Sequence, residues 1–233
     1  MLLKEVLEHL SFSEFSQVKL GGSTLGSIES ADYPQIVSFI NLALTDLYKR
    51  FLLSEKEVII QQFENITDYR IHSDYTITKG TAPFMWVMDS PQNPFKDDLI
   101  KVEKVYDELG VELPIDELES PSSVFFTAYD TIQIPYPDND IAVAVHYRAA
   151  PVVLSTTTPD PDTMEIFIPS VLLSALLAFI AARAHKPLAS ETNRRSSDYL
   201  GQYLALCAEI DLYGSVNTAR TDNNNKFNNN GWT

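Results

Sequence analysis

The sequence predicts an α+β protein in which terminal helices form a helical bundle, with a β-rich insertion between them and an extended C-terminal tail. Apolar residues recur at helical spacing near both ends, alternate with polar residues in the middle, and become rare in the last residues. Helices and strands that occupy separate stretches of a chain favour α+β over alternating α/β. We assign residues 1–53 and 166–214 to the helical bundle, residues 54–165 to a β-rich domain and residues 215–233 to a flexible tail.

Two helices are predicted in the N-terminal part. The first is short and amphipathic, and its apolar face is formed by Leu3, Val6, Leu7 and Leu10. The second extends from Asp32 to Leu53. Its apolar residues recur every three or four positions; they are Ile36, Ile40, Ala43, Leu44, Leu47 and Phe51. Pro34 fits the first turn of this helix, where a missing N–H costs nothing.

The middle of the chain is predicted to consist of strands joined by long connections. Alternation of large and polar residues predicts strands over 57–63, 68–78, 99–106, 123–134 and 141–148. Clusters of Pro, Asp and Asn separate several of these stretches, as expected for turns. We find no internal repeat in the sequence.

Two further helices are predicted near the C-terminus. Pro169 opens a helix over Ser170–Lys186, which is apolar around most of its circumference and is therefore expected to be buried. Pro187 ends it, and a second helix follows over about Glu191–Tyr213. The segment Asn217–Thr233 is rich in Asn and too polar to form a core, so we expect it to be disordered or to become ordered only against a partner.

Charge and cysteine content exclude several classes of protein. The chain has 17 basic and 32 acidic residues, for a net charge of −15, which argues against a surface that grips DNA or an anionic membrane. One cysteine, Cys207, excludes an intrachain disulfide framework. The longest apolar run, Ile166–Ala182, is interrupted by Pro and Ser and is too short for a typical membrane span, so it is interpreted as a core helix.

No motif predicts a catalytic, cofactor or metal site. The loop Gly21–Ser27 resembles a phosphate-binding loop in its glycine spacing but lacks the required lysine. The four histidines have no metal-binding spacing, although His72 and His146 could converge if their strands are adjacent. The acid-rich stretch Asp160–Glu165 lacks the pattern of a calcium loop. We therefore predict no enzyme activity, leaving a carboxylate-dependent hydrolase or a carbohydrate-binding module as less favoured alternatives.

Charge is distributed unevenly along the chain. The stretch Asp89–Ser120 has ten acids against three lysines, a local net charge of −7. Basic residues cluster instead where the last two predicted helices meet; they are Arg183, Lys186, Arg194 and Arg195. This cluster is either a solvated junction between helices or a contact with an acidic surface of a neighbouring subunit or partner.

The helical parts of the sequence resemble one protein family. The stretch Ile36–Phe51 is similar to the first long helix of tailed-bacteriophage head-to-tail adaptors, the connector and tail tubular protein A-like family. The stretch Leu176–Ala184, a polar break and then Asn193–Cys207 resemble the paired closing helices of that family: an aliphatic and Ala-rich helix ending in Arg, then a helix with Tyr and Leu four apart. The β-rich middle adds nothing specific to the resemblance.

The resemblance implies a structural virion protein without a cofactor. Family members form a dodecameric ring below the portal protein, with helices around the channel through which DNA leaves the capsid. The β-rich part then faces the tail or a next-tier ring protein, and DNA passes without specific binding. The implied location is the head–tail interface of the virion, after assembly in the host bacterial cytoplasm. Another tail ring or a stopper protein built from similar parts remains an alternative.

The resemblance also implies a role for the C-terminal tail, because the corresponding segments commonly dock on the portal. Phe227 and Trp232 would be its anchors, since isolated aromatic residues often supply much of the binding energy of an interface. Asn223 and Asn228 are the polar residues that we include in this docking segment.

Overall fold

The computed structural model describes residues 1–16, 25–139, 141–185, 190–214 and 216, and in the last helix it describes side chains from Arg195 onward. The chain divides into two compact units. One combines Met1–Leu53 with Pro151–Thr233, and the other is Ser54–Ala150.

The first unit contains four α-helices. They are α1 (Leu3–Phe12), α2 (Tyr33–Arg50), α3 (Leu173–His185) and α4 (Ser190–Tyr213), and a short 3-10 helix, Ser170–Leu172, precedes α3. Pro34 lies in the first turn of α2 and basic side chains lie in its last turn, both favourable for a helix. The predicted helices therefore form close to their expected bounds.

The predicted arrangement of these helices is wrong, because they do not form a terminal helical bundle. Helix α3 is buried around most of its circumference, and α1, α2 and α4 make their main helix contacts with α3. In a bundle, by contrast, every helix packs against two neighbours around a shared axis. The described chain is a mixed α and β protein with two antiparallel sheets and four α-helices. The predicted extended tail lies outside the described residues.

Non-helical chain completes the first unit. The start of the chain pairs with the segment before α3 through an antiparallel bridge between Leu2 and Glu165, and the Leu3 N–H donates to the Met164 carbonyl at 2.9 Å. The Asn41 side chain of α2 exchanges two hydrogen bonds with the backbone of Leu154, each 2.9 Å long. These contacts fix the segment that returns the chain from the second unit to α3.

The second unit contains seven strands in two antiparallel sheets. The strands are β1 (Glu55–Gln61), β2 (Asp68–Arg70), β3 (Val87–Met88), β4 (Leu99–Tyr106), β5 (Phe125–Ala128), β6 (Thr131–Gln133) and β7 (Ala142–Ala149). The larger sheet has the order β3-β1-β7-β4, and the smaller has the order β2-β6-β5. Central strand β7 pairs along its length with β1 and, with two irregularities, with β4.

Both sheets contribute to one apolar core. In β7 every second side chain is buried, and Val143, Val145 and Tyr147 face this core. Tyr69 of β2 and Ile132 of β6 enter it from the smaller sheet. The opposite face of β7 carries half-buried polar side chains, as expected for an antiparallel sheet with one side packed.

Two predicted strands differ from the structure. The strand predicted over 68–78 ends at Arg70, and a 3-10 helix, Ser73–Tyr75, follows, with the His72 side chain accepting from the Asp74 N–H. Tyr75 then stacks on Trp86 at a ring separation of 4.0 Å. The strand predicted over 123–134 is a hairpin, because the chain turns between β5 and β6.

Candidate functional site

The candidate site is the basic surface where α3 ends and α4 begins, because a partner contact is predicted there. Arg183 lies in the last turn of α3, with its side chain exposed and its guanidinium carbon 5.1 Å from the centre of the Phe179 ring. Arg195 lies on the first part of α4 and is also exposed. Lys186 and the Arg194 side chain lie outside the described part of the chain. The structure thus places two of the four predicted contact residues on this surface.

A polar cavity of about 390 Å³ lies beside Arg195. Its lining side chains come from the end of α1 and from α4; they are Ser13, Glu14, Ser16, Arg195, Asp198, Tyr199 and Gln202. Two carboxylates therefore lie near Arg195, although none forms an ion pair with it in the described part of the chain. The mixed charge of the cavity does not select a particular small ligand.

His185 fixes the packing below this surface. It is the last residue of α3 and only 1% exposed, and its ring stacks on Tyr199 at 5.3 Å and meets the Phe15 ring edge-on at 6.1 Å. Neither ring nitrogen has a hydrogen-bond partner of good geometry among the described residues. Burial lowers the pKa of His185, Arg195 lowers it further, and the nearby backbone of Glu14 opposes these effects. His185 is therefore a neutral packing residue at neutral pH.

A second polar cluster joins α2 to α4. The buried Tyr203 hydroxyl donates to an Asp46 carboxylate oxygen, and the Arg50 Nε donates to the same oxygen at 2.7 Å. Burial raises the pKa of Asp46, but the hydrogen bonds from Tyr203 and Arg50 outweigh this effect and lower it. Burial and the bond to Asp46 raise the pKa of Tyr203 far above its ordinary value. Cys207 lies one turn further along α4, buried, and burial raises the pKa of its thiol.

The sequence did not identify this cluster, although Asp46 and Arg50 stand four residues apart on one helix. That spacing predicts an ion pair, but nothing in the sequence indicates that Tyr203 completes it from a helix 157 residues away. The buried thiol of Cys207 lies in an apolar setting that disfavours the reactive thiolate. The cluster thus stabilises the fold.

The strand-borne histidines do not form one site. His72 faces Asp74 at 3.2 Å and Asp97 at 3.9 Å. His146 instead lies between Glu55 and Glu57 of the neighbouring strand, at 3.4 and 3.1 Å. Within the described ranges, no group of three or more His, Cys, Asp or Glu side chains is arranged to bind a metal ion.

The acidic stretch of the second unit presents two leucines at the tips of turns. Leu109 is 88% exposed and Leu118 is 90% exposed, the two highest values for large hydrophobic side chains in the described part of the chain. Asp107 fixes the first turn, because one of its carboxylate oxygens accepts from the N–H groups of Leu109 and Val111 at 2.9 and 2.8 Å. The sequence indicated the charge of this stretch but not the leucines.

The predicted docking residues of the tail, Asn223, Phe227, Asn228 and Trp232, all lie outside the described residues. None of the described helices has the length and apolar character needed to cross a lipid bilayer. The geometry that can be described is therefore that of contact surfaces.

Comparison with known proteins gives the family. Residues 16–226 match the family described as SU10 adaptor protein, so the match covers both units. No match is found among curated proteins. A match over nearly the whole chain joins the helices that resemble head-to-tail adaptors and the β-rich unit that lacked any specific resemblance. The chain therefore belongs to the SU10 adaptor protein family, and it is a structural adaptor of a bacteriophage virion that contacts other head or tail proteins.

Proposed function

We propose that this chain forms a ring below the portal, links the capsid to the tail and lines the channel through which DNA leaves. The family match over residues 16–226 carries this proposal. A twelve-fold ring is the expected stoichiometry, because the head-to-tail adaptors that the helices resemble form dodecamers. The partners are then the portal on one side and a tail protein or next-tier ring on the other.

The charge of the chain supports a channel that releases DNA. Proteins hold DNA by neutralising its phosphates with Lys and Arg, and this chain has a net charge of −15. Three described arginines, Arg50, Arg70 and Arg148, are moreover paired with carboxylates of the same chain. DNA passing such a surface meets few unpaired cations and is not retained.

The C-terminal segment is proposed to attach the ring to the portal. Its composition supports this role, since a segment with many Asn and only isolated aromatics lacks a core of its own and can become ordered on a partner. Phe227 and Trp232 would insert into apolar pockets of the portal, and Asn223 and Asn228 would hydrogen-bond around them.

The position in the virion can be tested in a phage whose gene for this chain carries a nonsense mutation. Electron microscopy should show heads that have packaged DNA but lack tails, and supplying the protein in trans should restore complete virions. Complete infectious particles in the absence of the protein would contradict the proposal. If the protein is instead a later ring or stopper, the heads would retain an adaptor density below the portal, which image averaging would reveal.

A further inference from the structure

The three residues Glu117, Leu118 and Glu119 form the tip of an exposed turn, which we call the acidic turn. Both glutamates are exposed, and neither forms an ion pair with a described residue. One exposed leucine is ordinary on a protein surface. Leu118, however, is 90% exposed and stands between two unpaired charges. The acidic turn therefore offers an apolar side chain and two carboxylates to a partner.

The acidic turn is held in one conformation by its own hydrogen bonds. Buried Ser123 accepts from the Glu117 N–H at 2.9 Å through its Oγ, which also donates to the Pro114 carbonyl at 3.1 Å. The Ser120 N–H donates to the Glu117 carbonyl at 3.2 Å and closes the turn. A rigid turn loses little conformational entropy on binding, so it is suited to docking.

The first unit carries two arginines that lack such partners. Five arginine side chains are described, and three of them, Arg50, Arg70 and Arg148, pair with carboxylates. Arg183 and Arg195 pair with no carboxylate among the described residues. In a chain with 32 acidic and 17 basic residues, an arginine without a carboxylate partner is the exception. These two guanidinium groups are available to acids of another molecule.

An exposed leucine accompanies the two arginines. Ser196 of α4 donates to the Ala182 carbonyl of α3 at 2.8 Å, and Tyr203 meets the Phe179 ring at 5.1 Å. Leu200 lies between these two contacts along α4 and is 46% exposed. The guanidinium of Arg183 lies over the same Phe179 ring. We call Arg183, Arg195 and Leu200 the arginine surface.

We propose that the acidic turn of one copy docks on the arginine surface of the next copy. This inference rests on the proposed ring and names the contact between its subunits. A ring requires a heterologous interface, in which two different surfaces of the chain complement each other. The acidic turn and the arginine surface are complementary in charge, and each adds a leucine. Copies with a net charge of −15 repel each other elsewhere, so the pairing also fixes the register of neighbouring subunits.

Charge reversal of each surface tests the inference. One variant carries Glu117→Lys and Glu119→Lys, and the other carries Arg183→Glu and Arg195→Glu. Each is incubated with purified portal protein, and rings are counted by native mass spectrometry and negative-stain electron microscopy. We expect the ring population to fall about tenfold or more for each variant, because like charges then face each other at every interface. Circular dichroism and thermal unfolding verify that both variants are folded.

Mixing the two variants gives the decisive result. In an alternating ring of equal amounts, reversed acidic turns meet reversed arginine surfaces, and native acidic turns meet native arginine surfaces. Every contact is then attractive, so the mixture should form rings although neither variant does so alone. A matched control with Glu8→Lys and Glu29→Lys changes the net charge equally at two exposed acids outside both surfaces and should assemble like the wild type.

The possible results separate this inference from the proposed function. Rings of normal yield from either reversed variant alone would overturn the docking while leaving the ring intact. Loss of rings that mixing does not restore would also overturn it, because the two surfaces would then not face each other. Failure of the wild type to form rings with the portal would contradict the proposed function, and the docking with it.

Discussion

Tyr203 and Asp46 show how one side-chain pair fastens two helices. Tyr203 is 1% exposed, and its hydroxyl donates to a carboxylate that Arg50 also holds. A hydrogen bond to a charged acceptor contributes more to stability than one between neutral groups. The Arg50 guanidinium also lies 5.5 Å from the centre of the Tyr203 ring, which adds a cation–π contact. The pair is therefore the strongest polar link between α2 and α4 that the structure describes.

Tyr203→Phe should lower the free energy of unfolding by about 1.5–3 kcal/mol, because it removes the donor and leaves the carboxylate with one partner fewer. Urea unfolding followed by circular dichroism measures this change. Tyr213→Phe is the matched control, since the Tyr213 side chain is largely exposed, and it should leave stability within about 0.5 kcal/mol of the wild type. Equal stability of the two variants would show that the hydroxyl of Tyr203 contributes nothing.

His185 gives a second residue-scale prediction, because burial lowers its pKa below the ordinary value of 6.5. In the unfolded chain His185 binds a proton near pH 6.5, whereas in the folded chain it resists protonation. The stability is therefore complete above pH 6.5 and decreases as the pH falls toward the lowered pKa of the folded state. Arg195, Glu14 and Tyr199 are the described titratable groups around the ring, and none of them supplies a counter-charge at close range.

His185→Phe should flatten this pH dependence while preserving the aromatic packing against Tyr199 and Phe15. The free energy of unfolding is measured at pH 7.5 and pH 5.0 for the wild type and the variant. The difference between the two pH values should be smaller in the variant. His9→Gln changes an exposed histidine and should retain the wild-type difference. An unchanged difference in His185→Phe would mean that other groups cause the acid sensitivity.

At the scale of elements, helices were easier to predict than strands. Helix α2 follows from its regular apolar spacing and from Pro34 in its first turn, both of which are local signals. The stretch after Arg70 alternates like a strand, yet it forms a 3-10 helix because Tyr75 packs on Trp86, a distant residue. The turn between β5 and β6 contains Tyr129 and Asp130 and lacks the glycine or proline that usually marks a turn.

The helix arrangement failed for a related reason. Apolar spacing shows which face of a helix is buried, but it does not show which other helix covers that face. Helix α3 is apolar on nearly all sides and can therefore receive three helices, which a bundle of equivalent helices does not require. The basic residues of the candidate surface were identifiable because charge is visible in the sequence. The buried His185 beneath them and the link between Tyr203 and Asp46 were not identifiable, since both depend on packing.

Deletion of residues 221–233 is the prediction for the C-terminal segment. We expect weaker attachment to the portal at unchanged thermal stability, because the segment lies after α4 and contains only two aromatic residues as anchors. Co-sedimentation with portal rings measures the attachment. A variant with Phe227→Ser and Trp232→Ser should reproduce the effect, whereas Asn224→Ser with Asn229→Ser should not. Attachment that is unaffected by the deletion would contradict the docking role.

At the scale of the whole molecule, the acidic charge has a different meaning once the family is known. A net charge of −15 excludes a surface that retains DNA, and it suits an adaptor past which DNA slides. The charge is also organised, because the acidic turn belongs to one unit and the arginine surface to the other. An acidic chain with two complementary surfaces can assemble in one register and repel misaligned copies.

The central claim is that the chain forms a ring on the portal, and the mass of the assembled complex tests it most directly. Purified protein is mixed with purified portal, and the complex is analysed by native mass spectrometry and by averaging of electron micrographs. The account predicts a complex with twelve copies of the 26.2 kDa chain in a closed ring below the portal. A chain that remains monomeric in the presence of the portal would contradict it.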